Sequence, residues 1–146
     1  MATKLKKLVT VLMAICMIAA TAAMASALEE EINNTSNTDF NLKVNPNGYA
    51  DYDHTSWRTK DNSSAVYMKV NYVKYTGHRV SGWIQGKKNG KVINCSGGNY
   101  YAVNRLGVIK MTNYVKEHGC THARIKVGAD PSATNIIQGV WSPDSR

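Results

Sequence analysis

Alternation of apolar and polar residues, rather than a helical period, organises this chain after residue 39. Phe40, Leu42 and Val44 alternate with Asn41 and Lys43, the two-residue period of a half-buried strand, and Asn45-Pro46-Asn47-Gly48 ends the run. Residues 49–55 are less regular, and residues 57–60 read as a short strand closed by Asp61-Asn62-Ser63-Ser64. The clearest strand covers residues 65–75, with Val66, Met68, Val70 and Tyr72 on one face and Tyr67, Lys69, Asn71 and Val73 on the other. Residues 79–87 repeat the pattern, with Val80 and Ile84 on one side and Trp83 on the other. Lys88-Asn89-Gly90-Lys91 follows, and Asn-Gly tolerates the positive φ angles of a type I′ turn, so a hairpin returns through Val92 to Cys95.

Further along, residues 100–103 resume a strand after Ser96-Gly97-Gly98-Asn99. Val108, Met111, Thr112 and Val115 are spaced as on one face of a helix, and Gly119 stands where a C-cap would fall. That predicts a helix of two or three turns. Ala123, Ile125 and Val127 then alternate with His122, Arg124 and Lys126, and residues 135–141 form the last strand before Pro143. The expected fold is all-β: an antiparallel β-sandwich or small barrel of about seven strands with at most one short helix. It occupies residues 40–146 as one domain, without internal repeats, behind a flexible acidic leader at 28–39.

The start of the chain follows different rules. Lys4, Lys6 and Lys7 precede an uncharged, Ala-rich run over residues 8–24, and Ala25-Ser26-Ala27 presents the small residues that a signal peptidase reads. The run is short for a membrane span and has no basic stop-transfer patch. Cys16 follows Ile15, where a lipoprotein signal would need a small residue. Residues 1–27 therefore read as a signal peptide cleaved after Ala27, leaving a secreted, extracellular product with no transmembrane anchor.

Charge sharpens this picture. The whole chain carries +8, and loss of the three signal lysines leaves +5. Residues 28–56 hold a net −5, whereas residues 57–126 hold a net +11. A basic body behind an acidic leader implies an anionic partner. Export points away from nucleic acid and towards anionic cell-wall polymers or envelope lipids. Lys87, Lys88 and Lys91 in the hairpin, with Trp83 as a stacking surface, are the candidate contacts. Lys69, Lys74, Arg79, Tyr67 and Tyr75 lie in the same stretch of sequence.

The cysteines remaining after cleavage, Cys95 and Cys120, read as a disulfide in an oxidising compartment. His118-Gly119-Cys120-Thr121-His122 with Cys95 could in principle ligate zinc, but neither cysteine has the near neighbour that zinc ribbons use. A Cys120 nucleophile served by His118 or His122 would need a free thiol. No cofactor or metal is expected, and no catalytic motif is present. An enzyme, as a small hydrolase of wall glycan or peptide, is the alternative, and it would draw on Asp51, Asp53 and His54.

Three segments carry a resemblance. They are Trp57-Arg58-Thr59-Lys60 leading into Tyr67-Met68-Lys69, then Asn113-Tyr114-Val115-Lys116-Glu117-His118-Gly119, and finally Gly139-Val140-Trp141-Ser142-Pro143-Asp144-Ser145. With these segments the chain resembles small secreted proteins of Gram-positive bacteria of unknown function, and more distantly it is similar to the lactococcin-like bacteriocins. The resemblance implies a secreted β-sandwich and transfers no site residue. The expected function is a non-enzymatic binding protein at a bacterial cell envelope, bacteriocin-like in its action.

Overall fold

In the computed structural model, residues 34–45, 52–129 and 134–145 are described, and ten strands run through them. They are β1 (Thr38–Val44), β2 (Tyr52–His54), β3 (Arg58–Thr59), β4 (Val66–Val73) and β5 (Val80–Lys88), then β6 (Lys91–Asn94), β7 (Tyr101–Ala102), β8 (Gly107–Met111), β9 (His122–Ala129) and β10 (Asn135–Ser142). All pairings are antiparallel. One sheet has the order β1-β10-β4-β8; the other runs β2-β9-β5-β6, with β3 also on β9 and β7 also on β5. The signal segment 1–27, the leader before residue 34, and Asp51 lie outside the described residues.

The alternation in the sequence places the core. Phe40, Leu42, Val44, Val66, Met68, Val70, Ile137 and Trp141 from the first sheet join Val80, Ile84, Ala123, Ile125 and Val127 from the second in one buried cluster. This is an all-β, two-sheet sandwich. The hairpin turn has the geometry that Asn-Gly predicts: Asn89 has φ 49° and Gly90 φ 77°, and Lys88 pairs with Lys91. Gly90→Ala should therefore cost about 1 kcal/mol, because alanine resists the left-handed region. Urea unfolding of the two forms would measure it.

Two details depart from the sequence reading. Tyr72 does not follow Val66, Met68 and Val70 into the core. Gly139 pairs with Val70 while Gln138 pairs with Tyr72, so Asn71 is an extra residue in β4. That bulge reverses the alternation, turning Tyr72 outward and setting Val73 against the core. The helix predicted around 108–118 is absent. Residues 107–111 form β8 on the edge of β4, with Val108 and Ile109 opposite Lys69 and Met68. The chain then turns through residues 114–119, where His118 N–H donates to Tyr114 O and Gly119, at φ 67°, ends the turn. Strand followed by turn imitates helical spacing here, and the β-branched pair settles the outcome.

Both edges of the six-stranded sheet are interrupted, each by a hydroxyl. Between β2 and β3, Thr55 N–H donates to Ile125 O at 2.9 Å while Ile125 N–H donates to Thr55 Oγ1 at 3.0 Å. Between β6 and β7, Cys95 N–H donates to Ile84 O at 2.9 Å while Ile84 N–H donates to Ser96 Oγ. In each case a side-chain oxygen takes the place of a backbone carbonyl, and the edge strand can break without orphaning a buried amide.

At one end of the sandwich, Lys60 and Asp144 form an ion pair at 2.6 Å with both side chains fully buried. Lys60 Nζ also donates to Ser64 O and Pro143 O, and Asp144 Oδ2 accepts from the N–H groups of Asn34 and Asp61. Arg58 completes the fastening. Its guanidinium donates to Ser36 O, Ser36 Oγ and Asn34 Oδ1, and it lies 5.7 Å from the Trp141 ring. Residues 34–37 are thereby held against the domain, and β1 begins at Thr38, earlier than the leader boundary at 39 would place it.

Candidate functional site

The outward positions of the six-stranded sheet follow from the register. β9 contributes His122, Arg124, Lys126 and Gly128; β5 contributes Ser81, Trp83, Gln85 and Lys87. Tyr52 lies opposite Gly128 and His54 opposite Lys126. Tyr52, Trp83 and Tyr100 form a row across the strands, with centroids 5.4 and 5.6 Å apart in edge-to-face contact. Gly128 permits this row: a Cβ there would stand 2.8 Å from the Tyr52 ring and 3.2 Å from Trp83.

The cations of this face sit on the rings. Lys126 Nζ is 3.8 Å from the Tyr52 centroid and 5.5 Å from that of Trp83. Trp57 carries Arg124 at 4.4 Å and Lys87 at 5.8 Å. Arg124 Nε–H also donates to Gln85 Oε1 at 2.8 Å. Partial burial lowers the pKa of that guanidinium, which nevertheless stays a cation at neutral pH. No outward position on these strands is Asp or Glu, and none of the three cations is ion-paired with a described carboxylate. Positive charge is therefore held in place by π-faces and left uncompensated by any described carboxylate.

Of the residues expected from sequence, Trp83 and Lys87 share this face. Lys91 is exposed at the hairpin tip, and Lys88 turns away, its Nζ donating to His118 O at 3.1 Å. Tyr67 and Lys69 do not join them, because β4 and β5 enter different sheets despite being consecutive. Tyr52, Trp57, Tyr100, Arg124 and Lys126 complete the face and are not among the contacts that the hairpin sequence singles out. The alternation of His122, Arg124 and Lys126 already placed those three outward together, but their partners become visible only through cross-strand pairing.

The other constellations come apart or are locked. Asp53 spends both oxygens on backbone, accepting from Lys43 N–H at 2.8 Å and His54 N–H at 2.7 Å. Its neighbour His54 lies on the outward face, so the two do not converge as an acid–base pair. A groove of about 440 Å³ on the four-stranded side, lined by Ser36, Tyr67, Lys110 and Ser142, contains Asp144, whose carboxylate is committed to Lys60. Cys95 and Cys120 are buried side by side as two free thiols rather than the disulfide expected from sequence, each sulfur 2.7 Å from where a Gly86 Cβ would lie. Burial, and then the neighbouring Cys120, push the Cys95 thiol up to about 12, which leaves almost no thiolate at neutral pH. His122 instead has its ring against Thr121 Oγ1 at 2.9 Å, away from the sulfurs.

An all-β sandwich with a cationic, aromatic outer sheet face is thus the class that fold and surface define. The family DUF2712, described as a protein of unknown function, matches residues 21–145, and the chain belongs to it. No curated protein and no solved structure matches the chain.

Proposed function

We propose that this protein is exported after cleavage of residues 1–27 and acts at a bacterial cell envelope as a non-enzymatic binding protein, in a bacteriocin-like manner. Its ligand is an anionic envelope polymer, held on the outer face of the six-stranded sheet. The observation that carries this reading is the set Lys87, Arg124 and Lys126, fixed on Trp57, Tyr52 and Trp83 without one carboxylate among them. Such a face attracts polyanions by charge and offers ring surface to the carbon skeleton between the charges. Export supplies the setting in which Cys95 and Cys120 join as a disulfide.

The test is sedimentation of the purified protein with isolated Gram-positive cell walls across a salt series. The expected result is binding at low salt that falls steeply as salt rises. Absence of binding at low salt would remove the envelope ligand.

A further inference from the structure

We infer that the polymer is a linear phosphodiester with a three-carbon repeat, lying along β9. This deepens the proposed function and rests on it. The basis is spacing. Lys126 and Arg124 are two residues apart on β9, and Lys87, opposite His122, marks the next two-residue step. Each step along an antiparallel strand is about 6.8 Å, from a rise of about 3.4 Å per residue. Two peptide residues contain six backbone bonds. A polyol phosphodiester repeat, phosphorus–oxygen–three carbons–oxygen, also contains six, so an extended chain of it brings one negative charge to each cationic step.

The side chains suit that ligand. Gln85 engages Arg124 through Nε–H, which leaves the terminal nitrogens of the guanidinium for phosphate oxygens. Lys126 and Lys87 supply point charges on either side. The rings of Tyr52, Trp83 and Tyr100 meet edge to face, leaving no parallel slot for a flat base but an apolar strip for polyol carbons. A single phosphate headgroup would use only one of the three steps.

The experiment expresses the whole chain, recovers the protein from medium or cells, and titrates it by calorimetry with four probes. These are a glycerol-phosphate oligomer, linear inorganic polyphosphate, inorganic phosphate, and phosphatidylglycerol vesicles. The glycerol-phosphate oligomer should bind about tenfold tighter per charge than polyphosphate, whose charges are too closely set. Its log–log salt slope should be near −2, about 0.7 for each of three contacts on a flexible chain. Lys126→Gln and Lys87→Gln should each reduce that slope by about 0.7, with unchanged circular dichroism.

Equal or tighter binding of polyphosphate would overturn the spacing inference while leaving a polyanion ligand in place. Equal binding of phosphate or vesicles would replace the polymer with a headgroup. Slopes unaffected by both substitutions would move the site off this face. If none of the probes bound and cell walls also failed to sediment the protein, the proposed function would fall with the inference.

Discussion

Lys60→Met is expected to destabilise the fold by about 3–5 kcal/mol, and Asp144→Ala by a similar amount, because each leaves a buried charge without its partner. For a domain of this size that is a fall in Tm of about 12–20 °C. A buried pair can often be exchanged for two apolar residues at little cost. Here it cannot. Lys60 and Asp144 also satisfy Ser64 O, Pro143 O, and the N–H groups of Asn34 and Asp61. The double variant Lys60→Met, Asp144→Leu should therefore stay at least about 2 kcal/mol below the parent, reflecting the loss of these partners at Pro143 O and at the Asn34 and Asp61 N–H groups, whereas Ser64 O keeps its bond from Asn113 Nδ2. Recovery to the parent's stability would show that the pair is dispensable.

The same pair sets an acid limit. Burial alone would raise the Asp144 pKa. The hydrogen bonds from Lys60, Asp61 and Asn34, with the Lys60 charge, outweigh it and hold the carboxyl below its usual range. A depressed folded-state pKa contributes stability that is complete above the unfolded value, about 3.9, and is lost as pH falls through the folded one. Denaturant stability should thus be level in this respect between pH 7 and 5 and decline below about 4. In Asp144→Asn that part of the acid dependence should disappear.

The second large effect concerns the sulfurs. Cys95 and Cys120 are free thiols in the structure; the proposed export implies that they become bonded, so that alkylation of the denatured, unreduced chain is expected to label neither. Closing the loop between them should add about 3.5 kcal/mol, and reduction should lower Tm by roughly 15 °C. Two labelled thiols in exported material would overturn the pairing. Gly86 is part of this arrangement. A methyl group at Gly86 would fall 2.7 Å from both sulfurs, so Gly86→Ala should destabilise the oxidised and reduced forms alike.

Local alternation made much of this fold legible. Phe40, Leu42 and Val44, and likewise Ala123, Ile125 and Val127, face inward as a period of two requires, and Asn89-Gly90 turns the hairpin as its chemistry demands. What stayed hidden depends on pairing. The bulge at Asn71 arises from register with β10, which nothing within β4 announces. Spacing at 108–115 suits strand plus turn as well as it suits a helix. The basic hairpin residues form a cluster in sequence, whereas the surface is built across strands: Lys126 beside Trp83, Tyr52 over Gly128, and Arg124 on Trp57. Only Trp83 and Lys87 could be found from the hairpin itself.

The hydroxyls of Thr55 and Ser96 have a consequence for self-association. A long, uninterrupted strand at a sheet border is a template on which another copy, or an unfolded passer-by, can lay a strand and seed a fibre. Here each border of the six-stranded sheet is cut into two short strands, with a side chain bonded where a continuous ladder would run. A visiting segment finds only brief stretches of open backbone before the register is lost. The sheet can display a charged, ring-lined face without also offering either border as a nucleus for growth.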